Sequence, residues 1–349
     1  MRQTLLTCLT LAALAAPTSP AHGQALPERI RAVVGERVEM ARTVRYQQGR
    51  EEQTERQTKT VKIGAEGELS LANISGEITV TRGSGSDATI EIVKTARART
   101  ADEAKELLGL VTVNVVERAG RAEVKTVYPR EDEMRRNNRR NVNVSVAYTV
   151  TAPPGTRLTV NSISGSIKVT DIKGDLSANS ISGTVRITNA GRISAAKSIS
   201  GDVEIIETQT DGAIEANSIS GGVTLRKVSA RRIDVGSVSG AIAVQDVTSD
   251  RVAGHSISGG VEFSGPLAKG GRYELNSHSG DVRVILSGST GFEVEANSFS
   301  GSIHSDVPLK IGGSDDRMVR RRSIQGVFGD GSAVLSLTTF SGSVTISRK

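Results

Sequence analysis

The chain has 349 residues with a formal net charge of +6, and aromatic residues make up only 3% of it. Its single cysteine, Cys8, lies in a predicted signal peptide, so the mature chain has no thiol for disulfides, thiolate catalysis or cysteine-ligated metal. Few aromatic residues together with 37 glycines favour stacked thin layers filled by aliphatic side chains over a conventional globule.

Residues 1–23 are predicted to be a secretory signal peptide. Arg2 supplies the positive charge of the n-region, residues 5–16 form the apolar h-region, and Ala21-His22-Gly23 marks the cleavage region. The h-region is too short to remain as a membrane-spanning helix, which needs roughly twenty residues. We therefore expect an exported protein of the periplasm, cell surface or extracellular space, with no transmembrane segment in the mature chain.

The next two segments differ in character. Residues 24–60 are rich in Arg, Glu and Gln and are predicted to form a charged linker. Residues 61–157 are predicted to be a β-rich region with a first repeat unit around Gly76 and one short helix at 101–109, capped by Thr100. This region is expected to cover the N-terminal end of the repeats that follow.

Residues 158–349 contain repeats marked by Ser-Gly, with an insertion at 306–333. From Gly165 to Gly301 the step between successive glycines is 18 to 21 residues. Short strands of alternating pattern surround each glycine, and units of this length must stack to bury an apolar face. The sequence thus predicts an all-β fold: a parallel β-solenoid with rungs of about 18–21 residues, preceded by a β-rich cap with one helix.

The repeat pattern also predicts where side chains point. A β-branched residue stands two positions after each glycine, and aliphatic residues such as Ile163, Ile181, Ile199 and Ile219 stand two positions before it. We expect both sets to stack as buried files, His278 to replace an interior isoleucine, and the serines beside the second set to face outward. The turn glycines are expected where a Cβ would crowd the next layer or where φ is positive: Gly165, Gly183, Gly201, Gly221, Gly240, Gly259, Gly280, Gly301 and Gly342.

Over residues 61–349 the chain resembles the bacterial putative-adhesin family, a domain of unknown function with a β-solenoid fold. Four segments carry the resemblance: Glu66-Gly67 before the first Ser75-Gly76, the predicted helix at 101–108, the stretch 148–155 and the C-terminal segment 329–342. It implies the solenoid fold and an adhesin-like role. It supplies no catalytic residues.

Two arginine clusters are candidates for contact with anionic polymers, although such charge runs are most often solvated loops. They are Arg135, Arg136, Arg139 and Arg140, and Arg317, Arg320, Arg321 and Arg322. No catalytic, cofactor or metal site is predicted, because His255, His278 and His304 occupy different repeat positions and no carboxylate pair is placed for acid–base work. Nucleic acid is disfavoured as a partner by export and by the few aromatic residues.

The leading hypothesis is a non-enzymatic exported β-solenoid that acts by adhesin-like surface contact or as a cell-envelope scaffold. Envelope polysaccharide or a surface protein would be its partner. One alternative is a structural protein that assembles end to end, because the last strand, at 343–347, would leave a strand edge unpaired. The other is a β-helix that binds or degrades polysaccharide.

Overall fold

In the computed structural model, residues 51–130, 142–310 and 322–349 are described. They contain 26 strands and one helix, and the strands form two 13-stranded sheets, sheet A and sheet B. No helix within these ranges has the length and apolar character needed to cross a membrane. The predicted all-β solenoid is confirmed.

Each repeat gives one strand to sheet B, turns at its Ser-Gly, and gives the next strand to sheet A. The repeat strands of sheet B are β2 (Glu68–Ser75), β8 (Arg157–Ser164), β10 (Leu176–Ser180), β12 (Ile193–Ser198), β14 (Ala213–Ser218), β16 (Ser229–Ser237), β18 (Thr248–Ser256), β20 (Arg272–Ser277), β22 (Phe292–Ser298) and β25 (Ala333–Thr339). Those of sheet A are β3 (Ile78–Arg82), β9 (Ile167–Thr170), β11 (Val185–Thr188), β13 (Val203–Ile206), β15 (Val223–Arg226), β17 (Ile242–Gln245), β19 (Val261–Pro266), β21 (Val282–Ser287), β23 (Ile303–Ser305) and β26 (Val344–Arg348). The end strands are β1 (Glu51–Lys62), β4 (Asp87–Ala98), β5 (Thr112–Arg118), β6 (Arg121–Val127), β7 (Val144–Ala152) and β24 (Ser323–Phe328).

The β-branched column two residues after each glycine forms a buried file, as predicted. Val185 pairs in parallel with Ile167 on one side and with Val203 on the other, and all three side chains are 0% exposed. Equivalent residues therefore lie over one another at the strand spacing of about 4.8 Å. Burial of these files between the two sheets is the main apolar contribution to stability.

The aliphatic residues two positions before each turn glycine lie on the outside of the solenoid. The prediction that they form a buried file is therefore wrong. Ile163, Ile181, Ile199 and Ile219 are between 44% and 47% exposed. The strand alternation explains this, because in β12 Ala196 and Ser198 face inward and the next residue must face outward. His278 follows the same rule: it is exposed and replaces no interior isoleucine.

The N-terminal region begins with a strand where a linker was predicted. β1 pairs antiparallel with β4 over its whole length, so the predicted linker at 24–60 is wrong for residues 51–60; residues 1–50 lie outside the described residues. Its side chains are mostly polar and exposed, so β1 lacks the alternating apolar pattern that marks the other strands in the sequence. Cross-strand ion pairs join the exposed faces of β1 and β4: Arg97 Nε lies 2.7 Å from Glu52 Oε2, and Lys94 Nζ lies 3.2 Å from Glu55 Oε2.

The helix α1 (Ala101–Leu110) packs on β1 and β4 and ends one residue later than predicted. Its cap is Thr100, whose Oγ1 accepts a hydrogen bond of 3.2 Å from the backbone N–H of Glu103. At this end of the stack β6 pairs with β2, and β7 pairs with β3, both in parallel. β5 then continues sheet B, while β4 and β1 continue sheet A.

At the C-terminal end the spatial order departs from the chain order. β25 lies between β20 and β22, and β26 lies between β21 and β23. The last strand is thus paired on both sides, and the unpaired edge on which the end-to-end hypothesis rested is absent from it. Part of the predicted insertion, β24, pairs antiparallel with β22 and covers that edge of sheet B.

Candidate functional site

An apolar ridge runs along the outside of the turn between the two sheets. In spatial order it consists of Ile74, Ile163, Ile181, Ile199, Ile219, Val238, Ile257, His278, Phe340 and Phe299. Eight of these side chains are between 40% and 63% exposed. Ten layers at the strand spacing give a length of about 45 Å. Single exposed apolar residues are common on protein surfaces, but a contiguous row of this length is not.

The C-terminal end of the apolar ridge is aromatic. The ring centroid of Phe340 lies 4.9 Å from that of His278 and 4.6 Å from that of Phe299, and the planes are nearly parallel, at 10° and 6°. Stacking along the solenoid covers both faces of the Phe340 ring and leaves its edge outward. A sugar ring stacks on an aromatic face, and both faces of Phe340 are already covered.

Beneath the apolar ridge lies an inner serine column that holds the turn together. Its members are between 2% and 6% exposed: Ser162, Ser180, Ser198, Ser218, Ser237, Ser256, Ser277, Ser298 and Thr339. Ser198 Oγ accepts a 2.9 Å hydrogen bond from Gly201 N–H and donates one of 2.9 Å to the Gly183 carbonyl of the neighbouring rung. The hydroxyl thus satisfies buried backbone groups within and between layers. The prediction that the serines face outward is therefore wrong for the inner column. It holds for the outer serine column, whose members stand directly before the turn glycines and are exposed: Ser164, Ser182, Ser200, Ser220, Ser239, Ser258, Ser279, Ser300 and Ser341.

Replacing Ser198 with alanine is expected to lower the free energy of unfolding by about 2 kcal/mol, because a buried N–H and a buried carbonyl lose their partner. Ser200→Ala, two residues along on the exposed side of the same turn, should change it by less than about 0.5 kcal/mol. Denaturant unfolding of both variants measures the difference. Equal effects would show that the two serines are not on opposite sides of the chain.

The turn glycines lie where adjacent rungs approach closely. A Cβ built on any of the nine from Gly165 to Gly342 would lie 2.0 to 2.4 Å from a glycine carbonyl oxygen of the neighbouring layer. None of these nine has a left-handed φ, although Gly76 of the first rung has a φ of +115°. Close backbone approach, rather than backbone strain, therefore requires glycine at these turns.

A trough runs beside the apolar ridge on its sheet B side. Its first stretch has a volume of about 640 Å³, with the ridge isoleucines as one wall and the inner serine column as its floor. The other wall is Asn161, Asn179, Lys197 and Asn217, and Lys125 of β6 stands at its N-terminal end. A second stretch of about 530 Å³ follows the aromatic end of the ridge, beside Arg322.

The walls of the trough carry little net charge. Asn179 Nδ2 donates a 3.2 Å hydrogen bond to Asn161 Oδ1, and Lys197 Nζ lies 2.7 Å from Glu215 Oε1. The outer serine column on the far side of the ridge is neutral over its whole length. In a chain that is 23% charged, this face is a predominantly neutral strip.

A buried polar network closes the N-terminal end of the trough. Asn73 takes the place of the inner serine, and its Nδ2 donates to the carbonyls of Gly76 at 3.1 Å and Val146 at 2.6 Å. Among the described residues, the buried Ser162 Oγ of the next rung has no hydrogen-bond partner. Asn73 Oδ1 accepts from Thr126, which also bonds the hydroxyl of Tyr148, and burial raises the pKa of that phenol.

The predicted arginine clusters fall almost entirely outside the described residues. Arg135, Arg136, Arg139, Arg140, Arg317, Arg320 and Arg321 lie there. Arg322 is described, and its carbonyl accepts a 2.7 Å hydrogen bond from Ser298 N–H beside the aromatic end of the ridge. Within the described ranges no three His, Cys, Asp or Glu side chains come together in a group that could hold a metal ion.

Two sheets of stacked repeats, joined at glycine turns, define the protein as a β-solenoid. The chain belongs to the Toastrack DUF4097 family, which its residues 50–347 match. A solved structure of a putative adhesin from Parabacteroides distasonis aligns with a TM-score of 0.50 at 11% identity, over 84% of this chain and 97% of that chain. A putative adhesin from Parabacteroides merdae aligns with a TM-score of 0.46 at 11% identity, over 84% and 96%. The likeness to the Parabacteroides distasonis structure, at 11% identity, shows the fold alone. No curated protein matches the sequence.

Proposed function

We propose that this protein is a non-enzymatic, exported contact module of the cell envelope, adhesin-like, and that the apolar ridge is its contact surface. The observation that carries the proposal is the contiguous row of ten ridge positions along one face, of which nine are exposed and Ile74 is half-buried. Apolar patches of this extent on a soluble fold are characteristic of interaction sites, because leaving them in water is unfavourable. The description of the Parabacteroides distasonis structure as a putative adhesin is consistent with this role.

The hydroxyls under the ridge support a non-enzymatic role. In five consecutive rungs the inner serine both accepts from a glycine N–H and donates to a glycine carbonyl, as Ser180 and Ser218 do, so these hydroxyls serve the backbone. The edge-on rings at Phe340 favour an apolar protein surface over a polysaccharide as the partner. Export is supported by the signal-peptide pattern of residues 1–23.

Binding to fractionated envelope material tests the proposal. The triple variant Ile181→Thr, Ile199→Thr, Ile219→Thr keeps β-branched side chains but removes apolar surface from the ridge. Immobilised wild-type chain is expected to retain peptidoglycan-associated or outer-surface protein, and the variant to retain at least about 10-fold less. The matched control is Lys168→Thr on the exposed face of sheet A, which should bind as the wild type does. Equal retention by the ridge variant would refute the ridge as contact surface.

A further inference from the structure

We propose that the partner of the apolar ridge is a second copy of this chain, bound side by side and pointing in the same direction. This inference rests on one part of the proposed function, the ridge as contact surface, and names a second copy of this chain as the protein that occupies it, so that an envelope protein bound at the ridge would have to displace that copy. Two features on the same face carry it: a convex row of apolar side chains and, parallel to it, a concave trough.

The adjacency of ridge and trough makes the face self-complementary. A twofold axis parallel to the stacking direction exchanges left and right between two facing surfaces, so the ridge of each copy meets the trough of the other. The same contact is then made twice, which is the isologous arrangement of closed dimers. Across the seam the order is an asparagine wall, two interdigitated ridges and a second asparagine wall. That is a dry apolar centre with a polar rim.

The repeat spacing selects a partner with the same repeat. Ridge residues follow one another at the spacing of hydrogen-bonded strands, as the bonds Ser182 N–H to Ile163 O (2.9 Å) and Ser200 N–H to Ile181 O (2.8 Å) show. Only another parallel stack presents one side chain per layer at this same spacing, as in the dry interfaces between paired cross-β sheets. In the parallel arrangement each rung meets itself, so the aromatic end lies against the aromatic end.

Charge and area both permit this dimer. Of the cations that line the trough, Lys197 lies in the middle of the seam and is paired with Glu215 at 2.7 Å, while Lys125 and Arg322 lie near its two ends. A seam about 45 Å long and about 15 Å wide covers roughly 700 Å² per copy, close to the roughly 800 Å² per partner of a stable interface. The edges at the ends of the described stack are less suitable: β24 covers β22, the edge strand β23 has only 3 residues, and the edge strands β1 and β5 are mostly exposed.

Sedimentation equilibrium of the purified full chain is the first test. The wild type is expected to have the mass of two chains, and Ile199→Asp to dissociate at least about 100-fold more readily, because a carboxylate would be buried in the apolar seam. Lys168→Asp on the far face, which also introduces one aspartate, should remain dimeric. If Ile199→Asp loses its circular-dichroism spectrum, Ile199→Thr replaces it. A wild type that is monomeric up to about 100 µM, well above the micromolar end of such interfaces, overturns the proposal.

Cysteine cross-linking tests the direction of the two copies. In a Cys8→Ser background, which removes the only native thiol, Ile163→Cys and Phe340→Cys chains should each form cross-links with themselves. A mixture of the two variants should form no Ile163→Cys to Phe340→Cys cross-link above the level of random collision. A preferred cross-link between these two positions means antiparallel copies and overturns the parallel seam.

The two proposals fail in different ways. A monomeric wild type whose ridge variant loses envelope binding overturns the second copy as partner and keeps the ridge as an envelope contact surface. A dimer that is lost in Ile199→Asp, while envelope binding stays unchanged, supports the second copy and refutes envelope contact through the ridge.

Discussion

Gly201→Ala is expected to destabilise the solenoid by about 3 kcal/mol or more. The added Cβ would lie 2.3 Å from the carbonyl oxygen and 2.5 Å from the carbonyl carbon of Gly183 in the next rung. Neither atom belongs to a flexible side chain, so the two layers must separate. Separation would stretch the 2.9 Å hydrogen bond that Ser198 Oγ donates to the Gly183 carbonyl of that rung.

Gly212→Ala is the matched control, because a Cβ there meets only side-chain atoms, of Arg192 and Thr210, at 3.5 Å or more. Its effect should stay within about 1 kcal/mol in either direction. Hydrogen exchange of rungs β12 to β15 compares the two variants locally, which suits a stack in which each repeat contacts only its neighbours. Equal protection in both variants would contradict the close approach of the turn glycines.

Ile205→Ala is expected to cost about 3 kcal/mol, while Ile199→Ala should cost about 1 kcal/mol. Ile205 is 0% exposed and lies in the file between Ile187 and Leu225, so truncation leaves a cavity between the sheets. Ile199 is 44% exposed, and its truncation mainly removes surface already partly in water.

Denaturant unfolding at low protein concentration measures both variants without a contribution from association. The pair is well matched because the substitution is the same and the residues are only six positions apart. A cost for Ile199→Ala as large as that for Ile205→Ala would mean that the ridge is packed inside a core.

The sequence was sufficient to predict the stacked architecture, because parallel pairing repeats a pattern that spacing alone reveals. The steps between glycines and the β-branched residues that follow them predicted the buried file through Val185 and Val203 correctly. The helix was also predictable, since Thr100 and the acidic first turn are ordinary capping signals. The spatial order of the C-terminal strands was not predictable. β25 and β26 lie between strands that precede them in the chain, and no feature of their own sequence indicates this.

The exposed ridge follows from strand alternation continued through the turn, which hydropathy alone does not indicate. Counting along sheet B from Leu176 and Ala178 brings Ser180 inside and Ile181 outside. Hydropathy alone suggested the reverse, since burying a serine has a cost unless its hydroxyl is bonded. The bonds to the Gly183 N–H and the Gly165 carbonyl offset that cost, and both partners come from the three-dimensional stack rather than from the local pattern.

Native-state alkylation distinguishes the inside of this turn from its outside most directly. In a Cys8→Ser background, two adjacent residues are replaced separately, as Ile199→Cys and Ser198→Cys, and dilute native protein is exposed to a soluble thiol reagent. The structure predicts that the cysteine at 199 reacts at nearly the rate of a free thiol, whereas the one at 198, where the native side chain is 4% exposed, is protected until the chain unfolds. Protection at 199 with rapid reaction at 198 would contradict the exposed ridge and the functional proposals that depend on it.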